Sequence, residues 1–237
     1  MKATLLAPLG LACLVCLASP ADLLARTWLV LPDGTGDAPT IQAAIDSATA
    51  GDVVELADGV YTGDGNRDLD YGGKAITVRS QSGSAADCVI DCLGDPGDHH
   101  RGFDFHSGET AEARLEHVTV TGGYVDNPDA FPPDGYGGGI IIYEASPTLL
   151  GVVLRENTAL GGGGLFVWES AAVVTECEFV DNTATQDSGG GVSCYFMDPP
   201  ARFADCVIRG NDSHHAGAGM ALWDCEIVLE RCGFHEN

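Results

Sequence analysis

Short apolar runs with period-two alternation recur along the second half of the chain. Ile140 and Ile142, Leu165 and Val167, Val192 and Cys194, and Met220 and Leu222 each follow a glycine-rich stretch. Cys177 and Phe179, Cys206 and Ile208, and Cys232 and Phe234 each stand at a fixed distance before an asparagine, and a third run holds Val174, Phe203 and Leu229. Period two marks strands. A longer period is set by Asn157, Asn182, Asn211 and Asn237, spaced 25, 29 and 26 residues apart. A repeat of that length, punctuated by glycine, is the mark of a solenoid, and the glycine runs exclude the paired helices of an α-solenoid. Three short strands per repeat predict an all-β, three-sheet parallel β-helix with coils about 4.8 Å apart.

Two details of the repeat carry structural expectations. The recurring Asn is expected in the left-handed backbone region of a tight turn, its amide bonding the Asn of the next coil. Leu154, Phe179, Ile208 and Phe234 keep a constant offset from that series and are expected to stack as one interior column.

The chain opens differently. One Lys precedes an apolar run from Leu5 to Ala18, and Ser19-Pro20-Ala21 supplies small residues for cleavage, so residues 1–25 read as a signal peptide. The run is too short for a membrane span; Cys13 and Cys16 inside it leave a lipid-anchored alternative open. Residues 26–237 read as one domain. Trp28 to Leu31 is a strand, and Thr40 caps a short amphipathic helix with Ile41, Ala44, Ile45 and Ala48 on one face, placed to close the open end of the first coil. Cys232 to Asn237 begins a coil and stops, so the domain reads as cut short at its C-terminal end.

The segment Asp33-Gly34-Thr35-Gly36-Asp37-Ala38-Pro39-Thr40-Ile41-Gln42-Ala43-Ala44-Ile45, with Gly51-Asp52-Val53-Val54-Glu55-Leu56 after it, resembles the N-terminal cap of the pectin-lyase-like right-handed β-helix superfamily. The Gly-Gly-Gly stretches and Asn157-Thr158-Ala159 and Asn182-Thr183-Ala184 resemble secreted bacterial members with repeats like those of polymorphic outer membrane proteins. The resemblance implies the right-handed fold over Trp28 to the end. It does not settle activity, because the superfamily mixes lyases, hydrolases and adhesins. Its pectate lyases hold Ca²⁺ with clustered Asp and use an Arg base; no Arg-x-Pro-x-x-Arg segment matches, so Ca²⁺ has no assignable ligands. Its hydrolases need paired carboxylates with Gly-His-Gly and Arg-x-Lys, also unmatched. No catalytic or metal-binding residue is assigned.

Composition narrows the partners. A net charge of −24 disfavours nucleic acid, anionic membranes and acidic polymers. Asp181, Asp205 and Asp212 read as solvated turn carboxylates, and His99-His100 and His214-His215 as exposed turn residues, with metal ligation the alternative. The irregular stretches Asp91 to Arg101 and Tyr124 to Tyr136 read as long turns of the kind that wall a groove. Cys177, Cys206 and Cys232 share their register with Val118 and Val152, so they fill an interior slot as small hydrophobes; oxidation of Cys88 with Cys92, or of two ladder members, stays open.

Four aromatics share one outward register: Tyr143, Trp168, Tyr195 and Trp223. They read either as a structural ladder covered by turns or as a sugar-stacking platform about 14 Å long. The expected protein is a secreted or cell-surface monomer without a transmembrane span in its mature form. Its expected role is non-catalytic, in adhesion or binding of extracellular polysaccharide, neutral glycans favoured over uronates. Polysaccharide cleavage and a structural stalk for a further module are the alternatives.

Overall fold

Alternation of buried and outward residues along strands of two to four residues builds the molecule. The structure, a computed structural model, describes residues 25–127, 134–196, 198 and 200–237. The leader expected at residues 1–25 falls, but for its last residue, outside the described residues, as do Pro128 to Pro133 of the second long turn. Every strand pairing is parallel, and each coil pairs with the next in register. Three sheets of eight, seven and six strands form the walls, and a fourth ladder of two-residue strands joins them. One coil reads Ile140–Tyr143, Thr148–Leu150, Val153–Arg155 and Thr158–Ala159, in the six-, eight-, seven- and four-stranded sheets respectively.

The core is a set of stacked columns. Tyr61, Ile90, Val120, Leu154, Phe179, Ile208 and Phe234 are successive partners in the seven-stranded sheet. All are buried except Phe234, on the last coil, at 44 % exposure. The expected column is thus present and extends further toward the N-terminus. Cys177, Cys206 and Cys232 carry free thiols in the register expected for them, each pointing at backbone carbonyls of its own and the preceding coil.

The asparagines form the ladder expected, with one correction. Asn157, Asn182 and Asn211 are buried, and each Nδ2 donates to Oδ1 of the next Asn at 2.9–3.1 Å. The left-handed residue, however, is the one before: Glu156, Asp181, Gly210 and Glu236 have φ of 53–66°. The Asn side chain is needed inside the corner, where its amide ties two coils together, and its neighbour absorbs the sharp turn. The other corners work alike. Glu144, Glu169, Phe196 and Asp224 end the strands of the six-stranded sheet with φ of 44–51°.

At the N-terminus the helix Ile41–Ser47 buries Ile41, Ala44 and Ile45 over the first coil. Thr40 Oγ1 accepts from Ala43 N at 3.2 Å. At the other end Lys74 Nζ donates to the carbonyls of Ile45 and Asp46, both at 2.8 Å, a cation on the negative end of the helix. Among the described residues no helix is long and apolar enough to cross a membrane.

Candidate functional site

The six-stranded sheet presents two outward columns. Ile141, Phe166 and Ser193 form one and are buried, with the Tyr136 ring 4.7 Å from that of Phe166. The other column is Tyr143, Trp168, Tyr195 and Trp223, partners in successive coils. Their rings stack at 6.0, 5.9 and 6.5 Å with interplanar angles of 25°, 9° and 20°. The first three are half-buried and Trp223 is 64 % exposed. The structure therefore brings all four sequence-predicted residues into one offset-stacked strip.

Polar groups hold the strip in place. Tyr195 donates its hydroxyl to Asp187 Oδ2 at 2.8 Å, and Tyr136 donates to the same oxygen at 3.2 Å. Burial and then this carboxylate push the Tyr195 phenol well above its ordinary pKa. Phe196, in its left-handed corner, sets its ring edge-on to Trp168 at 4.7 Å. Burial, then the carboxylates of Glu144 and Glu169, raise the Tyr143 phenol.

Upstream the same register reaches His106, one residue beyond the Ile142–Phe105 pair. Here the chemistry changes. Asp70 and Asp104 are strand partners, and Asp104 pairs with Ile141 on the next coil. These two acids and His106 form one side of a cavity of about 320 Å³. His99 and Arg101 come from the first long turn, Val125 and Asp134 from the second, so both turns wall a groove as their length suggested. Arg101 is almost buried; its guanidinium donates to the Asp134 carbonyl at 2.6 Å and lies 3.7 Å from Asp104 Oδ2. Burial lowers its pKa, against the pull of Asp104, Asp68 and Asp134. His106 Nδ1 lies 2.9 Å from Asp104 Oδ1, and although burial opposes its charge, Asp104 raises its pKa.

Calcium does not fit this donor set as it stands. Asp68 accepts from Arg101 N and meets His100 Nδ1, Asp70 accepts from Gly72 N, and Asp104 is held by His106 and Arg101. No three His, Cys, Asp or Glu side chains converge as ligands among the described residues.

The histidine pairs separate. His214 and His215 are exposed, rings 4.9 Å apart. His99 lines the cavity, and His100 is held between Asp68 and Asp98, its side chain only 17 % exposed, so this pair is more than a solvated turn. Asp181 and Asp205 are exposed, the latter paired with Arg231 at 2.6 Å. Sequence reasoning passed over Asp70, Asp104, Arg101 and His106. One signal was available: Leu69-Asp70-Tyr71 and Phe103-Asp104-Phe105 each set an acid between two inward apolar residues, which aims both carboxylates outward.

No protein-family model matches the chain, and no curated protein does. Among solved structures it is similar to one described as a mannuronic acid specific polysaccharide family 6 lyase from human gut microbiota. Identity is 13 %, the match covers 88 % of this chain and 59 % of that one, and the TM-score is 0.31. The chain thus spans about three fifths of that protein's length.

Proposed function

We propose that this chain is an exported β-helix protein that binds extracellular polysaccharide along the outer face of its six-stranded sheet. The observation that carries the reading is the strip of four stacked, partly exposed rings, one per coil. Stacked aromatic faces offer flat apolar area to the C–H faces of sugar rings. The test is retention on immobilised polysaccharides. Trp168→Ala with Trp223→Ala is expected to abolish retention with the fold preserved by circular dichroism; unchanged retention by a folded double variant refutes the reading.

The cavity favours a second reading, polysaccharide cleavage. Asp70 and Asp104 lie on adjacent rungs with His106 and Arg101 at the head of the strip, which is acid–base equipment beside a binding platform. Release of reducing ends from a polysaccharide, lost in Asp104→Asn, would establish it. Absorbance of an unsaturated uronate product would distinguish elimination from hydrolysis.

A further inference from the structure

The strip has a second column beside it. The left-handed corner residue after each strand is Glu144, Glu169, Phe196 and Asp224 in turn, and the three acids are exposed. Where Phe196 interrupts the series, Asp187 meets the Tyr195 hydroxyl at 2.8 Å. At the head of the strip Asp104 meets His106. Every ring position from His106 to Trp223 therefore has a carboxylate next to it.

Asp104 is balanced by His106 and Arg101, but the corner charges beside Tyr143, Trp168 and Trp223 are not balanced within the described residues. Two corner acids elsewhere have arginine partners, Asp205 with Arg231 at 2.6 Å and Glu156 with Arg155 at 3.7 Å, whereas Glu176, Asp181 and Glu236 form no ion pair among the described residues. Glu144, Glu169 and Asp224 form no ion pair among the described residues. The chain as a whole carries −24, so a polyanionic glycan approaching the strip is repelled at every coil.

We propose that the strip selects a cationic glycan, a β-linked polymer of amino sugars with free ammonium groups, laid along the solenoid axis. The proposal rests on the glycan-binding reading and adds the charge of the ligand. Both columns advance one step per coil, about 4.8 Å along the sheet, and a β-linked pyranose chain repeats on the same scale. Sugar faces then stack on the rings while the ammonium groups on one edge of the chain, those of every second sugar, face the carboxylate column. An ammonium over a Trp or Tyr face gains cation–π attraction besides. The carboxylates of Asp70, Asp104 and Asp134 at the cavity continue the same sign beyond the last ring.

Calorimetric titration with three oligosaccharides of equal length separates the possibilities: a β-1,4-glucosamine hexamer, its fully N-acetylated counterpart and a hexauronate, at a pH where the amines are charged. The glucosamine hexamer is expected to bind about tenfold or more tighter than the acetylated one, with the uronate silent and binding weakened by salt. Glu144→Gln, Glu169→Gln and Asp224→Asn together are expected to remove that preference. Asparagine tolerates a left-handed corner, and glutamine matches the shape of the glutamates that already occupy theirs; should the triple variant still misfold, the salt dependence of the unaltered protein decides instead. Equal binding of both neutral and charged hexamers, lost in the tryptophan variants, leaves glycan binding standing and overturns the cationic preference. Silence with every hexamer overturns both, and hexalysine binding as tightly as the glucosamine hexamer reduces the effect to bare charge and overturns the proposal.

Discussion

Asn182 Oδ1 accepts two hydrogen bonds from Asn157 on the preceding coil, one from its backbone N–H and one from its side-chain amide, each at 3.1 Å. Asn182 in turn donates from Nδ2 to the Leu154 carbonyl and to Asn211. Replacing it with Ala leaves buried donors and acceptors on two coils without partners, at about 1–3 kcal/mol for each group stranded. We expect Asn182→Ala to cost as much as Phe179→Ala, which opens a core cavity worth about 3–5 kcal/mol. Urea melts of the two variants check this; an Asn182→Ala protein within error of the parent would mean water replaces the ladder.

Gly164 approaches both the next glycine run and this ladder. A Cβ there would stand 2.7 Å from the Gly191 carbonyl oxygen and 2.9 Å from Asn182 Nδ2. Backbone cannot yield cheaply, so Gly164→Ala is expected to destabilise by about 1–3 kcal/mol. A melting temperature equal to the parent's would show that the coil spacing is softer than its packing implies.

Asp52 gathers N–H groups from Thr49 and Arg26 at 2.9 and 2.7 Å, and these two bonds hold its carboxyl below the usual carboxylate range. A depressed folded-state pKa contributes stability above the unfolded value of about 3.9 and loses it as pH falls through the folded one. Asp52→Asn should therefore melt below the parent at neutral pH, and the two curves should converge in acid. A gap that stays constant from neutral pH down to acid would place the effect in packing.

His106 owes its raised pKa to Asp104, against the effect of burial. Its charged form contributes stability below the unfolded pKa, and that contribution fades as pH rises through the folded value. In Asp104→Asn the His106 ring should titrate at lower pH by NMR than in the parent. An unmoved titration would rule out the pairing in solution.

Burial pushes the Cys88 thiol up to about 12 and raises that of Cys177 also, whereas Cys232 is only half-buried. Since the thiolate is the reactive form, alkylation of the native protein should mark Cys232 well before Cys88 or Cys177. Mass spectrometry of the digest reads the order directly, and equal rates would mean that the interior opens readily.

The regular coils were legible in the sequence because their signals repeat. Apolar alternation, glycine runs and Asn157, Asn182 and Asn211 fix the register three times over, and the aromatic column follows from it. The left-handed corner was misplaced by one residue because Glu156 and Asp181 do not advertise that conformation, whereas Asn does. The cavity was not legible for a different reason. Asp68 and Arg101, and Arg101 and Asp134, each meet across 33 residues of irregular chain, where no period relates one coil to the next. Only the local alternation around Asp70 and Asp104 pointed outward, and it did not say that the two acids are neighbours.

One ring per coil makes the strip a ruler. Each in-phase repeat contributes one aromatic step and one corner, so duplicating the segment from Leu165 to Gly191 would lengthen the aromatic strip by one ring while keeping the strand register. On the proposed glycan-binding reading, reach on a polymer is then set by counting repeats, and gain or loss of whole in-phase coils would tune it where point substitution could not.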